Sequence, residues 1–299
     1  MEKIEIMLKI KAPELTGIKT WINSKPLKLS DLKGKLVIVD FWTYSCINCQ
    51  RTLPYLKKWH QKYSKKGLVI IGVHSPEFSF EKDPKNVKKA VKELGIKYPV
   101  AVDSSMKTWS AFENTSWPAK YFIKDGYIIY YRFGEGNYEE IEERIQKELG
   151  LSGKVEKEKY AGYMFDQSPE TYAGFSKNQG LGSGLVCNKK GCNQYVDSGE
   201  HLPNTIYPDG RWDQEKEYLE LKKEPGKLSY LFYAREVNII AAPVGKAAKA
   251  DILIDNKKQG SITISSPSMY TVYKKKKYET HDLSIVFKGK VRVFEFTFG

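Results

Sequence analysis

Arginine is scarce in this 299-residue chain: it supplies six of the 49 basic residues, and lysine supplies the rest. Nucleic-acid readers lean on arginine for bidentate phosphate and base contacts. The formal net charge of +13 is also dispersed. Residues 1–150 carry 26 Lys+Arg against 18 Asp+Glu, net +8, leaving +5 for the remainder. A scattered lysine surface is solvated exterior, drawn at most to anionic surfaces, so nucleic acid is set aside as a partner. Long apolar runs are lacking too. The longest, Leu68–Val73, falls far short of the ~18 residues a membrane helix needs. Glu2, Lys3, Glu5 and Lys9 interrupt the opening stretch, so no signal-peptide pattern is expected there. Cysteine is rare: Cys46 with Cys49 and Cys187 with Cys192, four in all, too few for a disulfide framework. What is present, 41% hydrophobic and 28% charged residues, supports packed cores and excludes a disordered chain.

The first half alternates strand-like and helix-like segments. Leu36–Trp42 and Leu68–His74 read as buried strands. Between them, residues 46–65 carry Leu53, Leu56 and Trp59 at helical spacing. Lys85–Leu94 reads as a helix stopped by Gly95, and Tyr98–Val102 as a short strand. Ala119–Lys124 and Tyr127–Phe133 flank Asp125-Gly126, a hairpin signal. Residues 138–149 close the half as a helix. Two buried runs joined by a helix make a parallel βαβ unit, and the hairpin adds an antiparallel edge. The expectation is an α/β domain with a mixed sheet and flanking helices over residues 1–154.

Helical periodicity fades beyond Leu151-Ser152-Gly153. Lys227–Ala234, Val237–Ala241, Ala250–Asp255, Ser261–Ile264 and Val291–Phe298 read as strands. In the last, Phe294, Phe296 and Phe298 share one face, with Glu295 and Thr297 on the other. Short strands between Gly, Pro and Asn turns predict an all-β, jelly-roll-like sandwich over residues 155–299. The lysines at 274–277 are expected to cap a solvated loop.

Cys46 and Cys49 follow a buried strand and open a helix. Residues three apart on a helix share a face, so the two sulfurs can close a disulfide. Unpaired N–H groups and the macrodipole at the helix start favour a thiolate at Cys46. Cys46 is therefore the expected nucleophile, and Cys49, one turn inside, the resolving thiol. Asp40 is the expected proton acceptor for Cys49. Pro54 is structural, a kink inside the helix. Trp42 and Tyr44 either line the site or pack beneath it.

The run from Val39 to Pro54, VDFWTYSCINCQRTLP, resembles the thioredoxin active site. That family has an acid six residues before the first cysteine and a proline five after the second, matching Asp40 and Pro54. Ser116-Trp117-Pro118, directly before a strand, resembles the family's cis-proline segment. The resemblance implies a cis Pro118 beside the cysteines, with the Trp117 backbone pairing with a bound substrate chain. Ala12-Pro13-Glu14-Leu15-Thr16-Gly17, Trp21-Ile22-Asn23, Ser168-Pro169-Glu170-Thr171-Tyr172, Tyr233-Ala234-Arg235-Glu236-Val237-Asn238 and Phe296-Thr297-Phe298-Gly299 extend it to one branch. That branch is the extracytoplasmic region of DipZ-type proteins. These join a CcdA-like membrane electron carrier to a TlpA-like thioredoxin domain and a C-terminal domain similar to carbohydrate-binding modules. The resemblance implies a protein-disulfide reductase of the cytochrome c biogenesis kind, extracytoplasmic, with a CcdA-like donor, disulfide-containing protein substrates and a glycan ligand. The absent membrane portion keeps a cytoplasmic location open.

Three other readings compete with this one. A zinc site would need two more ligands, and Cys187 and Cys192 lie in the other domain. Dithiol exchange needs neither metal nor cofactor. Thr43-x-x-Cys46 resembles the peroxidatic motif of peroxiredoxins, but the proline expected upstream of the threonine is missing. A surface glycan- or protein-binding role with an inert thioredoxin scaffold is the alternative from another class. Tyr207, Trp212, Tyr270 and Tyr273 are its candidate aromatics. Cys187 and Cys192 enclose a Gly-containing turn and form either a hairpin-like disulfide, a pair of thiols or a redox-sensitive switch. His74, His201 and His281 show no ligand spacing and are expected to be surface or packing residues.

Overall fold

A computed structural model describes residues 10–155, 167–189 and 192–299. The chain divides into two compact units, Met1–Gly162 and Tyr163–Gly299. The junction expected at 154/155 stands directly before residues 156–166, which lie outside the described residues. No helix among the described residues is long and apolar enough to cross a membrane.

The first unit runs β1 (Ile10–Lys11), β2 (Thr20–Ile22), β3 (Leu36–Trp42), α1 (Ile47–Tyr63), β4 (Leu68–His74), α2 (Pro84–Glu93), β5 (Val100–Val102), α3 (Lys107–Ala111), β6 (Ala119–Lys124), β7 (Tyr127–Phe133) and α4 (Tyr138–Glu148). Its seven strands form one mixed sheet in the order β1-β7-β6-β3-β4-β5-β2. β3, β4 and β5 are parallel, and β6, β7, β1 and β2 are antiparallel to their neighbours. Every residue of β3 is buried, because both sheet faces are covered. One face packs Ile38, Trp42, Ile70 and Phe122 against Leu53, Leu56 and Trp59 of α1, Val87 and Val91 of α2, and Ile141 and Ile145 of α4. The other packs Val37, Val39 and Phe41 against Leu29 and Phe112. α2 begins where the sequence turns helical: Asp83 caps it, its carboxylate accepting the Lys85 N–H at 2.9 Å, and Pro84 fits the first turn.

The expected strands and helices of this unit are all present. The short strand is trimmed to Val100–Val102, since Pro99 sits in its first half. β1, β2 and α3 were not anticipated; at two to five residues they are too short to carry a period.

The second unit comprises nine described strands, all paired antiparallel: β8 (Thr171–Tyr172), β9 (Gly184–Lys189), β10 (Cys192–Val196), β11 (Ile206–Gln214), β12 (Leu219–Pro243), β13 (Ala248–Ile254), β14 (Lys257–Ile264), β15 (Ser268–Lys288) and β16 (Val291–Phe298). The two segments expected at 227–234 and 237–241 are one strand, β12. It pairs with β11 early and β16 late, and its register slips near Glu236. Irregularities of this kind let a long strand bend and change partners. The lysine run is corrected: Lys274–Lys277 lies inside β15, exposed, at the slip between Lys274 and Glu279. Glu295 and Thr297 are buried along with Phe294, Phe296 and Phe298, so both faces of β16 are covered.

Candidate active site

β3 ends at Trp42, and the turn Thr43–Ser45 delivers Cys46 to the N-cap of α1. Cys46 is extended, at φ −72° and ψ 116°, and partly exposed; Cys49 is fully buried. The Cys49 N–H donates to Cys46 Sγ at 3.2 Å. The nucleophile's sulfur thus occupies the position of a capping oxygen and receives a helix-start amide. This arrangement stabilises negative charge on Cys46.

Asp40 lies beneath, on β3, fully buried. Its strand partners are Gly72 on β4 and Lys120 on β6. Lys120 Nζ is 3.4 Å from Asp40 Oδ1, and that side chain is buried as well. Burial pushes the Asp40 carboxyl up to about 6, with Lys120 pulling in the opposite direction. Tyr98, also buried, has its hydroxyl pushed well above the usual range by burial, then by the charges of Asp40 and Cys49. Trp42 and Tyr98 close over Gly72: a Cβ there would stand 2.9 Å from Trp42 Nε1 and 3.1 Å from Tyr98 Cε2.

The turn itself is held by His74, at the end of β4. His74 Nε2 accepts the Tyr44 N–H at 3.3 Å and lies 3.4 Å from Thr43 Oγ1, which assigns the ring proton to Nδ1. Burial lowers this imidazole to about 3, so it is neutral. Trp42 meets its ring edge-on at 5.1 Å and Tyr44 stacks on it at 5.5 Å. Trp42 and Tyr44 are both buried, and both pack on the His74 ring. Gln50 Nε2 donates to Tyr44 O at 2.7 Å. On the outer side, Arg51 of α1 reaches Asn48 Oδ1 at 3.2 Å and Glu135, in the loop after β7, at 3.0 Å.

The Trp117–Pro118 peptide is cis. Pro118 O accepts the Gly134 N–H at 2.8 Å, and Trp117 Nε1 donates to Ser75 O at 3.0 Å. Pro54 lies inside α1 with its ring exposed. The structure therefore places Cys46, Cys49 and Asp40 on adjoining β3 and α1, with Pro118 one strand over, preceding Ala119, the register partner of Phe41. Lys120, His74 and Tyr98 were missed by sequence reasoning. Lys120 gave no signal: its hairpin reads as an antiparallel edge, and only the sheet order, with β6 between β7 and β3, buries its side chain.

Elsewhere, Cys187 is paired with Gln194 and Cys192 with Lys189 in the β9–β10 ladder; the side chains of both cysteines lie outside the described residues. Tyr207, Trp212 and Tyr273 are buried, and the Tyr270 hydroxyl accepts the N–H groups of Ser265 and Ser266.

A mixed sheet, paired cysteines at a helix start, a buried acid on the strand that leads to them and a cis-proline just before the neighbouring strand define a thioredoxin-like fold. Residues 168–299 match the family described as thioredoxin like C-terminal domain, and residues 9–132 match the AhpC/TSA family. Protein DipZ of Mycobacterium tuberculosis is 32% identical over 96% of this chain, and the match covers 43% of that protein. Thiol-disulfide oxidoreductase YkuV of Bacillus subtilis is 32% identical over 46% of this chain and 93% of its own length. Thiol-disulfide oxidoreductase ResA of Bacillus cereus is 33% identical over 43% of this chain and 72% of its own. The chain belongs to the thioredoxin-like thiol–disulfide oxidoreductases. It spans less than half the length of the mycobacterial relatives it matches from end to end.

Proposed function

We propose that the chain is a reductase of disulfides in other proteins. The observation that carries this reading is Cys46 at the N-cap of α1, partly exposed, its Sγ receiving the Cys49 N–H at 3.2 Å. The Cys46 thiolate attacks one sulfur of the substrate disulfide. A Cys46–substrate bond forms as the substrate S–S bond breaks, and the displaced sulfur leaves as a thiolate and takes a proton from water. Cys49 gives its proton to the Asp40 carboxylate and attacks Cys46 Sγ. The mixed disulfide breaks, the second substrate thiol leaves, and two electrons have passed from the Cys46–Cys49 pair to the substrate. A carboxyl at about 6 is suited to accept that proton near neutral pH and release it afterwards. Lys120 holds the charge on Asp40. The Trp117 backbone, before Pro118, pairs with the substrate chain.

Turnover needs a donor that returns the electrons. A CcdA-like membrane carrier, facing an extracytoplasmic site for this chain, is supported by end-to-end similarity to a DipZ protein more than twice as long. The peroxidatic reading is not favoured: Thr43 is buried, its hydroxyl engaged with Glu81. Glycan binding draws less support: of its four candidate aromatics, Tyr207, Trp212 and Tyr273 are buried, and Tyr270 is partly buried. Insulin reduction in the presence of a dithiol tests the proposal. The wild type should accelerate it and Cys46→Ser should not; full activity in Cys46→Ser would refute the assignment.

A further inference from the structure

Glu81 takes no part in the exchange chemistry above, yet it is fully buried. It sits on a single 3-10 turn, Ser79–Lys82, between β4 and α2. Donors surround its carboxylate. Oε1 accepts the Ser45 Oγ–H at 2.6 Å and the Ser45 N–H at 3.3 Å. Oε2 accepts the N–H of Glu77 at 2.8 Å and of Phe78 at 3.0 Å. Thr43 adds a side-chain hydrogen bond. Burial raises the carboxyl above its ordinary range and the charge of Glu77 adds to the rise, while the hydrogen bonds from Ser45, Thr43 and the Phe78 N–H oppose it. Each of these hydrogen bonds offers a hydrogen and none asks for one, which works against the rise.

Ser45 is the residue before the nucleophile. Its N–H and its hydroxyl both go to Glu81, while His74 takes the Tyr44 N–H and Gln50 reaches the Tyr44 carbonyl. The turn is thereby fixed where Cys46 adopts its extended cap conformation. The same contact brings a buried negative charge beside the residue next to Cys46. In surroundings shielded from water, a like charge works against a second anion more strongly than it would at the surface. Helix-start amides favour the thiolate; Glu81 opposes it.

We propose that Glu81 is a positioning residue for the Cys46 thiol: through Ser45 it holds the sulfur over the first turn of α1, and its charge restrains thiolate formation there. This deepens the exchange reading and rests on it for its meaning in catalysis. Glu81→Gln keeps an acceptor for the Ser45 hydroxyl and removes the charge. Ser45→Ala removes the 2.6 Å hydroxyl contact, loosens the tether and leaves the carboxylate on Thr43 and the amides of residues 45, 77 and 78.

The test is the pH profile of Cys46 alkylation by iodoacetamide in the reduced full chain, read by mass spectrometry, with circular dichroism to establish folding. The midpoint should move to lower pH in Glu81→Gln. It should move to higher pH in Ser45→Ala, as the sulfur loses its fixed place over the amides. Folded variants that both keep the wild-type midpoint overturn the proposal. If Glu81→Gln fails to fold, Ser45→Ala decides: a wild-type midpoint overturns it, an upward shift supports it. Insulin reduction by the wild type, run in parallel, separates the two readings. Midpoints that move in a chain without reductase activity sink the exchange reading and uphold the Glu81 assignment. An active wild type with unmoved midpoints does the reverse.

Discussion

Lys120 Nζ stands 3.4 Å from Asp40 Oδ1 in the interior of the first unit, two facing residues on antiparallel neighbours β6 and β3. Breaking a buried pair by removing one partner costs about 3–5 kcal/mol, because the other charge is left uncompensated. Lys120→Met should therefore lose stability of that order at neutral pH and less in acid, where Asp40 is protonated. The same variant should raise the pH at which Asp40 titrates above that of the wild type. Urea unfolding at two pH values checks the first point, and the carboxyl signal of Asp40 in carbon-13 NMR checks the second.

Asp40 gives the wild type a pH dependence of definite sign. Its folded carboxyl, at about 6, is above its ordinary value of 3.8. Folding therefore binds a proton between the two values. The contribution is fully present below about 4 and is lost as pH rises through about 6. The difference corresponds to about 3 kcal/mol. Unfolding curves should show wild-type stability falling over this window relative to Asp40→Asn, with the gap constant above it. A flat difference across the window would contradict the buried, raised carboxyl.

Cys49→Ser should convert a turning-over enzyme into a trap. Cys46 keeps its cap position, attacks, and has no neighbour to release the substrate. Mixed disulfides with disulfide-containing protein substrates should accumulate and survive non-reducing electrophoresis, while insulin reduction drops to near background. A variant that turns over at the wild-type rate would remove Cys49 from the mechanism.

Gly72→Ala should destabilise by about 1–3 kcal/mol, the usual cost of an added group in a packed core. Its Cβ would meet Trp42 Nε1 at 2.9 Å and Tyr98 Cε2 at 3.1 Å. Both rings are buried, so neither can swing into solvent. Thermal melting gives the measurement; an unchanged midpoint would mean that the rings beside Asp40 repack freely.

The active-site strand and helix were legible because several signals coincide there: an apolar run in Leu36–Trp42 broken only by Asp40, helical spacing of Leu53, Leu56 and Trp59, and cysteines at the join. The roles of Glu81 and His74 were not. Glu81 lies in Ser-Phe-Glu-Lys-Asp, which reads as solvated loop, and only the fold brings it to Ser45, 36 positions earlier. His74 closes an apolar strand, and what it holds is a backbone N–H that no pattern advertises. In the second unit, Pro225-Gly226 and Arg235-Glu236 read as strand ends. The chain runs through them because β15 pairs along Gly226–Ala241, bridging the part of β12 that pairs with β11 and the part that pairs with β16. Pairing between distant segments overrides local turn chemistry, which is also why Trp212 and Tyr273, candidate surface aromatics by sequence, are core residues.

The most direct test is equilibration of the chain in graded mixtures of reduced and oxidised dithiothreitol, followed by thiol alkylation and intact-mass and peptide analysis. The account predicts one two-electron transition in which Cys46 and Cys49 lose their alkylation together and appear joined in a single peptide. Retention of both labels at every ratio, or oxidation of one without the other, would contradict it.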